Sequence, residues 1–480
     1  MNKQCDVLII GGGPAGTTMG SFLTQKGWQV TLLEKDHHPR FHIGESLLPM
    51  NLPILQRLGV LDQVEKIGVI KHGAEFNSMS ANSPRSTIYF KNAMDKSHPY
   101  AYQVKRCEFD EILFRNSQRI GVDALEGMRV RDIEWRSAGK HLVHVQSQSD
   151  ERITWEAKFV IDASGRDTFL AKHFAIKEKN PHHNSAAIFG HFSGVDRREG
   201  EDQGNISIYW FEHGWFWMIP LRDGVMSVGA VCFPDYLKTR RNSPKEFLWD
   251  TINLCESARE RMKKATLISE AQATGNYTYT SQRSYGNGYM LVGDAFAFID
   301  PVFSSGVYLA MSSAELGADV VDGCLRNPGQ AAKLLRAHER RVRKGISMFS
   351  WFIYRFNTPA IHHLFMNKQN YFRIEEAMTS LLSGDIFRGT PVQRPIAIFK
   401  LLYYAAFMAL WTKSRASLKR RVKNAAMVFK GGTTELDNAE DHAKDNAQDN
   451  AEDDAKVNTL VNPEPSTQAS APVSKQNITT

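Results

Sequence analysis

Gly11, Gly13 and Gly16 fall in the run GGGPAG, between the apolar stretch Asp6–Ile10 and the helix-like stretch Thr17–Gly27. No other feature of the chain constrains its fold as tightly. A strand entering this run must turn sharply, and the first glycine permits the turn. The second lets the backbone approach a ligand, and the third lets helix and strand pack closely. The helix then starts with free N–H groups at the positive end of its dipole, a site for phosphate. Pro14 and Ala15, inside the run, share that phosphate-facing turn. A second apolar strand, Gln29–Leu33, closes on Glu34, roughly 20 residues after the glycines, where an acid accepts hydrogen bonds from a ribose. Lys35 follows and is assigned to the same site. Strand, helix and strand in this order make a βαβ unit. The chain is therefore read as α/β, with a Rossmann-type parallel sheet that binds a dinucleotide.

The remainder divides by pattern. Residues 1–340 are read as the nucleotide-binding domain, interrupted near 76–102 and 186–279 by stretches of alternating apolar and polar residues rich in aromatics. Those stretches predict an inserted, mostly antiparallel β substrate domain, with strands at Asn205–Phe211, Trp215–Pro220 and Val225–Cys232. Residues 341–431 read as a helical, basic region. Within it Leu401–Trp411 is strongly apolar but short of the ~20 residues that span a bilayer. A core-packing helix is the preferred reading there. An interfacial membrane helix and a carrier-protein docking face stay open. Residues 432–480 repeat alanine among Asp, Asn and Glu and end in Pro, Ser, Thr and Gln. They offer no apolar face to bury and are expected to be disordered.

The net charge of +7 comes without a helix-turn-helix, zinc or RNA-recognition signature, so nucleic acid is not an expected partner. Contact with a membrane surface is the lesser reading of the basic excess. The five cysteines are scattered and never spaced CxxC, which predicts reduced thiols and no metal site. The N-terminus runs from a short polar lead straight into a strand, without a signal-like apolar segment. A cytoplasmic protein is expected.

Two segments go beyond a generic dinucleotide. Phe159–Arg166 reads FVIDASGR, a strand ending at Asp162, and Gly288–Pro301 reads GYMLVGDAFAFIDP, a strand ending at Gly293 and Asp294. Either alone is an ordinary strand-to-helix turn. With the glycine run, in this order, they resemble the FAD-dependent monooxygenase superfamily. That resemblance implies FAD as cofactor and places Arg106, in QVKRCEFDEIL, at an FAD-contacting position.

Four further segments narrow the chemistry. Arg40–Pro49 reads RFHIGESLLP, with Gly44, Glu45 and Ser46 at its centre. Trp215 and Trp217 lie in WFWMIP, two indoles on one strand face. Lys71 lies in VIKHGAEF, among apolar neighbours. Phe298–Gly306 reads FIDPVFSSG. Each has a plain structural alternative: a turn capped by Ser46, a core aromatic pair, a solvated lysine, a helix N-cap. Together and in order they resemble the flavin-dependent halogenases. Arg373–Phe387, RIEEAMTSLLSGDIF, is similar to the C-terminal region of halogenases that act on pyrroles and phenols, often tethered to a carrier protein.

The resemblance implies roles. Gly44, Glu45 and Ser46 lie against the flavin. Pro301, Ser304, Ser305 and Gly306 hold chloride or bromide. Trp215 and Trp217 wall the flavin from the organic substrate, and Lys71 directs hypohalous acid, formed from FADH2, O2 and halide, at an aromatic ring. Burial would lower the pKa of Lys71. His72 and Glu75 are nearby candidates for the base that takes the ring proton. Where tryptophan halogenases carry a glutamate before the halide-motif serine, this chain has Phe303, which points to a more electron-rich phenol or pyrrole, free or on an acyl carrier protein. No second glycine fingerprint is evident, which implies a separate NAD(P)H flavin reductase as partner. A hydroxylase and an isoprenoid-chain reductase of the same superfamily are the alternatives.

Overall fold

The computed structural model describes residues 3–136, 139–275, 278–367 and 370–427. The tail expected at 432–480 lies outside the described residues.

The run KQCDVLII forms the central strand Lys3–Ile10, with Arg152–Asp162 and Val30–Leu33 parallel on either side. Tyr289–Leu291 and Asp123–Leu125 extend the parallel sheet outward. Side chains alternate across a strand, so Val7 and Ile9 enter one core cluster while Leu8 and Ile10 enter another. Both faces are covered, which is why the strand reads as a continuous apolar run. The helix after the glycine run begins at Pro14 and ends at Gln25, three residues earlier than its sequence start suggests, because proline is pre-organised for a first helical turn. It packs against the long helix Gly306–Arg326.

A second sheet orders its strands Thr266–Leu267, Ala186–Ser193, Met226–Cys232, Gly214–Pro220, Ile206–Phe211, Gly73–Asn77 and Ser86–Tyr89. Every pairing along that order is antiparallel except Ile206–Phe211 with Gly73–Asn77. Ala101–Gln103 does not join it and pairs with Val69–Lys71 instead. One face of Gly214–Pro220 carries Trp215, Trp217 and Ile219 into the large core, and the other carries Phe216 and Met218 into a separate cluster.

From Ala331 to Met427 the described residues are mostly helical. Gln393–Ala409 buries Ile396, Phe399, Tyr403 and Phe407, so the core-packing reading of Leu401–Trp411 holds for one face. The opposite face leaves Leu401, Tyr404 and Met408 exposed. The chain then bends by 105° into Trp411–Ala425. No single helix among the described residues is long and apolar enough to cross a membrane.

Trp217 occupies space that only a glycine opposite leaves free: a Cβ on Gly229 would lie 2.2 Å from its ring. Gly229→Ala should displace the indole and cost about 1–3 kcal/mol, as overpacking does. Urea unfolding followed by circular dichroism measures the loss.

Candidate functional site

The glycine run is built as its spacing predicts. Gly11 has φ +105°, and a Cβ there would meet Ala163 O at 2.5 Å; a Cβ on Gly16 would meet Gly11 O at 2.0 Å. Gly13 faces open space, with only Arg40 Nη2 near, at 3.9 Å, and caps the helix without a side-chain bond. Free N–H groups and a guanidinium therefore converge where a pyrophosphate would rest. Arg40, in RFHIGESLLP, drew no role from the sequence; its place becomes evident only when the loop folds back over the turn.

Glu34 is buried at the end of its strand. Its Oε2 accepts from Gly12 N (2.7 Å) and Arg40 Nη2 (3.2 Å), and Oε1 accepts from Asp36 N. Lys35 pairs with Asp167. Gly293, at φ +58°, lies between Ala15 and Ala310, each within 3.3 Å of where its Cβ would be. Gly293 and Asp294 are thus brought to the start of the Pro14 helix from almost 300 residues away. Burial raises the Asp294 carboxyl to about 6, against the pull of Arg166 and Arg106.

Two expected cofactor contacts are spent elsewhere. Both carboxylate oxygens of Asp162 are used locally, on Ser164 N (3.0 Å) and Leu170 N (2.7 Å), so Asp162 shapes the turn behind Gly11. Arg106 forks onto Asp110 at 2.7 and 2.9 Å and donates to Ile43 O at 2.9 Å. It holds the Gly44 loop, where φ is +105°, and still lines the adjoining cavity.

That cavity, of about 280 Å³, is bordered by Phe41, His42, Glu45, Arg106 and His191. Burial, with Arg106 beside it, pushes His42 down to about 3 and keeps it neutral. His191 Nε2 is 2.9 Å from Glu45 Oε1, while Glu45 Oε2 is buried without a partner. Glu45 and Ser46 are consecutive in an extended segment bridged to Gln103, so they point to opposite sides. Glu45 faces the cavity. Ser46 faces Lys71.

Lys71 is 1 % exposed. Its Nζ donates to Ser46 Oγ (2.9 Å) and Leu47 O (3.1 Å) and sits 5.2 Å from the centre of the Phe90 ring. Dehydration drives its pKa down to about 7. The aromatic face favours the ammonium, but burial dominates, and the two acceptors match the two N–H bonds of a neutral amine. Glu75 does not share this chamber. It faces the other side of its strand from Phe76, clamped by Arg198 at 2.7–3.1 Å and held ionised against its own burial. That geometry removes Glu75 as the proton acceptor. His72 is half-buried.

Trp215 and Trp217 lie 5.9 Å apart, and Trp217 Nε1 donates to Ser227 Oγ. Phe189 links them to the cavity, 5.9 Å from Trp217 and 6.3 Å from Phe41. On the far side Phe303 and Trp215 both meet Phe356, at 5.8 and 6.4 Å. In the segment Pro301–Gly306, Ser304 is left-handed (φ +56°), and Ser305 Oγ is buried with no partner at the start of the Gly306–Arg326 helix. Asp300 anchors this loop: His183 Nε2 and Ser185 Oγ lie 2.9 and 2.8 Å from its Oδ2. Neither His183 nor Ser185 carried a sequence signal, since both partners lie over 100 residues away. Among the described residues no cluster of His, Cys, Asp or Glu could hold a metal ion.

A family model described as FAD binding domain matches residues 4–349, and the myxobacterial chondrochloren halogenase, an FAD-dependent enzyme of known structure, is similar to this chain at 32% identity and TM-score 0.70, over 85% of this chain and 97% of that one. The chain belongs to the flavin-dependent halogenases. Another similar protein is the 1H-pyrrole-2-carbonyl-(peptidyl-carrier protein) chlorinase of Pseudomonas fluorescens, at 29% identity over 80% of this chain and 90% of that protein. A third is a tryptophan 2-halogenase of Chondromyces crocatus, at 35% identity over 70% of this chain and 64% of that protein. The cradle at Gly13, the unpartnered Glu45 oxygen and the adjoining cavity fit the FAD that this halogenase requires.

Between pH 7 and 10 the unfolded halogenase keeps its Lys71 proton and the folded one does not, so stability contributed at this position rises with pH. Wild type should gain about 3–4 kcal/mol relative to Lys71→Met across that range. Paired urea titrations at several pH values measure the difference.

Proposed function

We propose that the enzyme halogenates an electron-rich phenol or pyrrole, delivered free or on an acyl carrier protein, with Lys71 as its catalytic residue. The burial of Lys71 one residue across from the cavity that Glu45 lines carries this reading. Reduced FAD, when bound, supplies the two electrons with which O2 oxidises chloride or bromide to hypohalous acid. Ser304, Ser305 and Gly306 hold the halide, through the free Ser305 hydroxyl and the N–H groups that open the Gly306 helix. Trp215 and Trp217, with Phe189, keep the organic ring off the flavin.

Lys71 then holds hypohalous acid at Nζ, beside Ser46. The ring carbon bonds to the halogen as the halogen–oxygen bond breaks, and the ring proton leaves with the hydroxide as water. Phe303 offers no charge to the cationic ring intermediate, which favours a ring that forms that cation easily. The carrier-bound pyrrole of the Pseudomonas relative supports a tethered substrate. The similarity to a tryptophan 2-halogenase favours indole as the competing ring. A separate NAD(P)H flavin reductase supplies FADH2.

Aerobic turnover with a flavin reductase, NADH, FAD and bromide should place the bromine isotope doublet on a phenol, a pyrrole or a pyrrolyl-loaded carrier, read by mass spectrometry. Lys71→Ala should lose about 100-fold or more of this activity while still binding FAD. Oxygen added without bromine would move the protein to the hydroxylases. Bromination by Lys71→Ala at the wild-type rate would remove the lysine from the mechanism. Ser305→Ala should raise the bromide KM about tenfold, the loss of one hydrogen bond to an anion.

A further inference from the structure

The helix Gln393–Ala409 carries an apolar stripe on the wrong side. Leu401, Tyr404 and Met408 follow one another at intervals of three and four residues, which aligns them on one face, and Trp411 opens the next helix beyond the 105° bend. They are 69%, 50%, 64% and 46% exposed. A surface helix ordinarily turns polar residues outward. The short turn Tyr371–Arg373 packs against the same helix and exposes Tyr371 and Phe372 at 67% and 73%. Phe372 holds φ +56°, a left-handed conformation unusual for a bulky residue. Two segments that touch thus each expose large apolar side chains.

Along the segment that carries the stripe the charge has one sign. From Pro391 to Met427 there is no Asp or Glu. Of the basic residues there, Arg420 is committed to Asp235 and Arg421 to Tyr354 O. Lys413, Arg415, Lys419 and Lys423 stay exposed, on the helix beyond the 105° bend.

We propose that this face seats the enzyme on an anionic lipid surface, with the stripe and Phe372 in the acyl boundary and the exposed cations on the phosphates. Apolar residues flanked by Lys and Arg, with Trp and Tyr at the border, are the composition of a helix lying in the interface. The inner face of the helix is already buried in the core, so the helix lies on the bilayer and does not cross it. A folded acidic protein would call for cations interleaved with the contact residues, but here they are segregated. A second copy would bring two basic helices together. The inference does not depend on the reaction proposed above.

Full-length protein with bound FAD is floated with vesicles of phosphatidylcholine alone or mixed with phosphatidylglycerol. It should float with the mixed vesicles, and less so as salt rises. The variant Leu401→Ser/Met408→Ser/Trp411→Ser and the variant Lys413→Glu/Arg415→Glu should each bind about tenfold or more weaker. Unchanged flavin absorbance and circular dichroism show that each is folded. Failure of the wild type to float overturns the proposal, as does wild-type binding by the apolar variant. A wild-type dimer that the apolar variant splits, without flotation, would assign the face to a second copy. Carrier-protein binding lost in the same variant, again without flotation, would assign it to the carrier.

Discussion

An amine held out of water with no carboxylate beside it is the constraint around which this site is arranged. Lys71 satisfies two N–H bonds on Ser46 Oγ and Leu47 O and leaves its third position without a fixed partner. An ammonium in that place loses hydration that two acceptors and one ring only partly replace, so its pKa falls to about 7. The acceptors come from the same short segment that carries Glu45 to the cofactor side. One pleat therefore separates two environments, a cavity bordered by a buried carboxylate and a packed interior that holds a buried amine. Their spacing does not depend on side-chain flexibility.

The aromatic set beyond Trp215 follows a related logic. Phe303 meets Phe356, which also stacks on Trp210 at 4.9 Å, and Phe76 stacks on Trp210 at 5.5 Å. A carboxylate at position 303 would be desolvated among these rings with no evident donor. Phe303 and the aromatic residues from the helical region thus form a set. The wall that Phe303 joins is correspondingly apolar and carries no charge.

Much of this was legible where the signal is local. The glycine run, the alternation in WFWMIP and the apolar setting of Lys71 fix strand, turn and face within a few residues. What stayed hidden is pairing across the chain. Arg106 reads as a cofactor contact, but its fork onto Asp110 and the use of both Asp162 oxygens by its own loop carry no sequence signal. Arg40 gained a place only through the fold of its loop, and His183 only through Asp300. Glu75 reads as a neighbour of Lys71, yet the pleat turns it to the opposite face. The apolarity of Leu401–Trp411 was plain, but which side would pack depends on neighbours the pattern does not name.

His183, Ser185, Phe189 and His191 are all odd-numbered, on one face of the strand Ala186–Ser193 and the residues leading into it. The first two grip Asp300, the third meets Trp217, and the last holds Glu45. From Ser185 to His191 is six residues, a rod of roughly 20 Å at ~3.3 Å each. It works as a gauge that sets how far the Pro301–Gly306 loop stands from the cofactor cavity. Such a gauge cannot be lengthened by one residue, because every grip beyond the insertion would turn to the other side of the sheet. The distance between the halide-side loop and the cofactor cavity is thus written into the length of one strand, not into any loop.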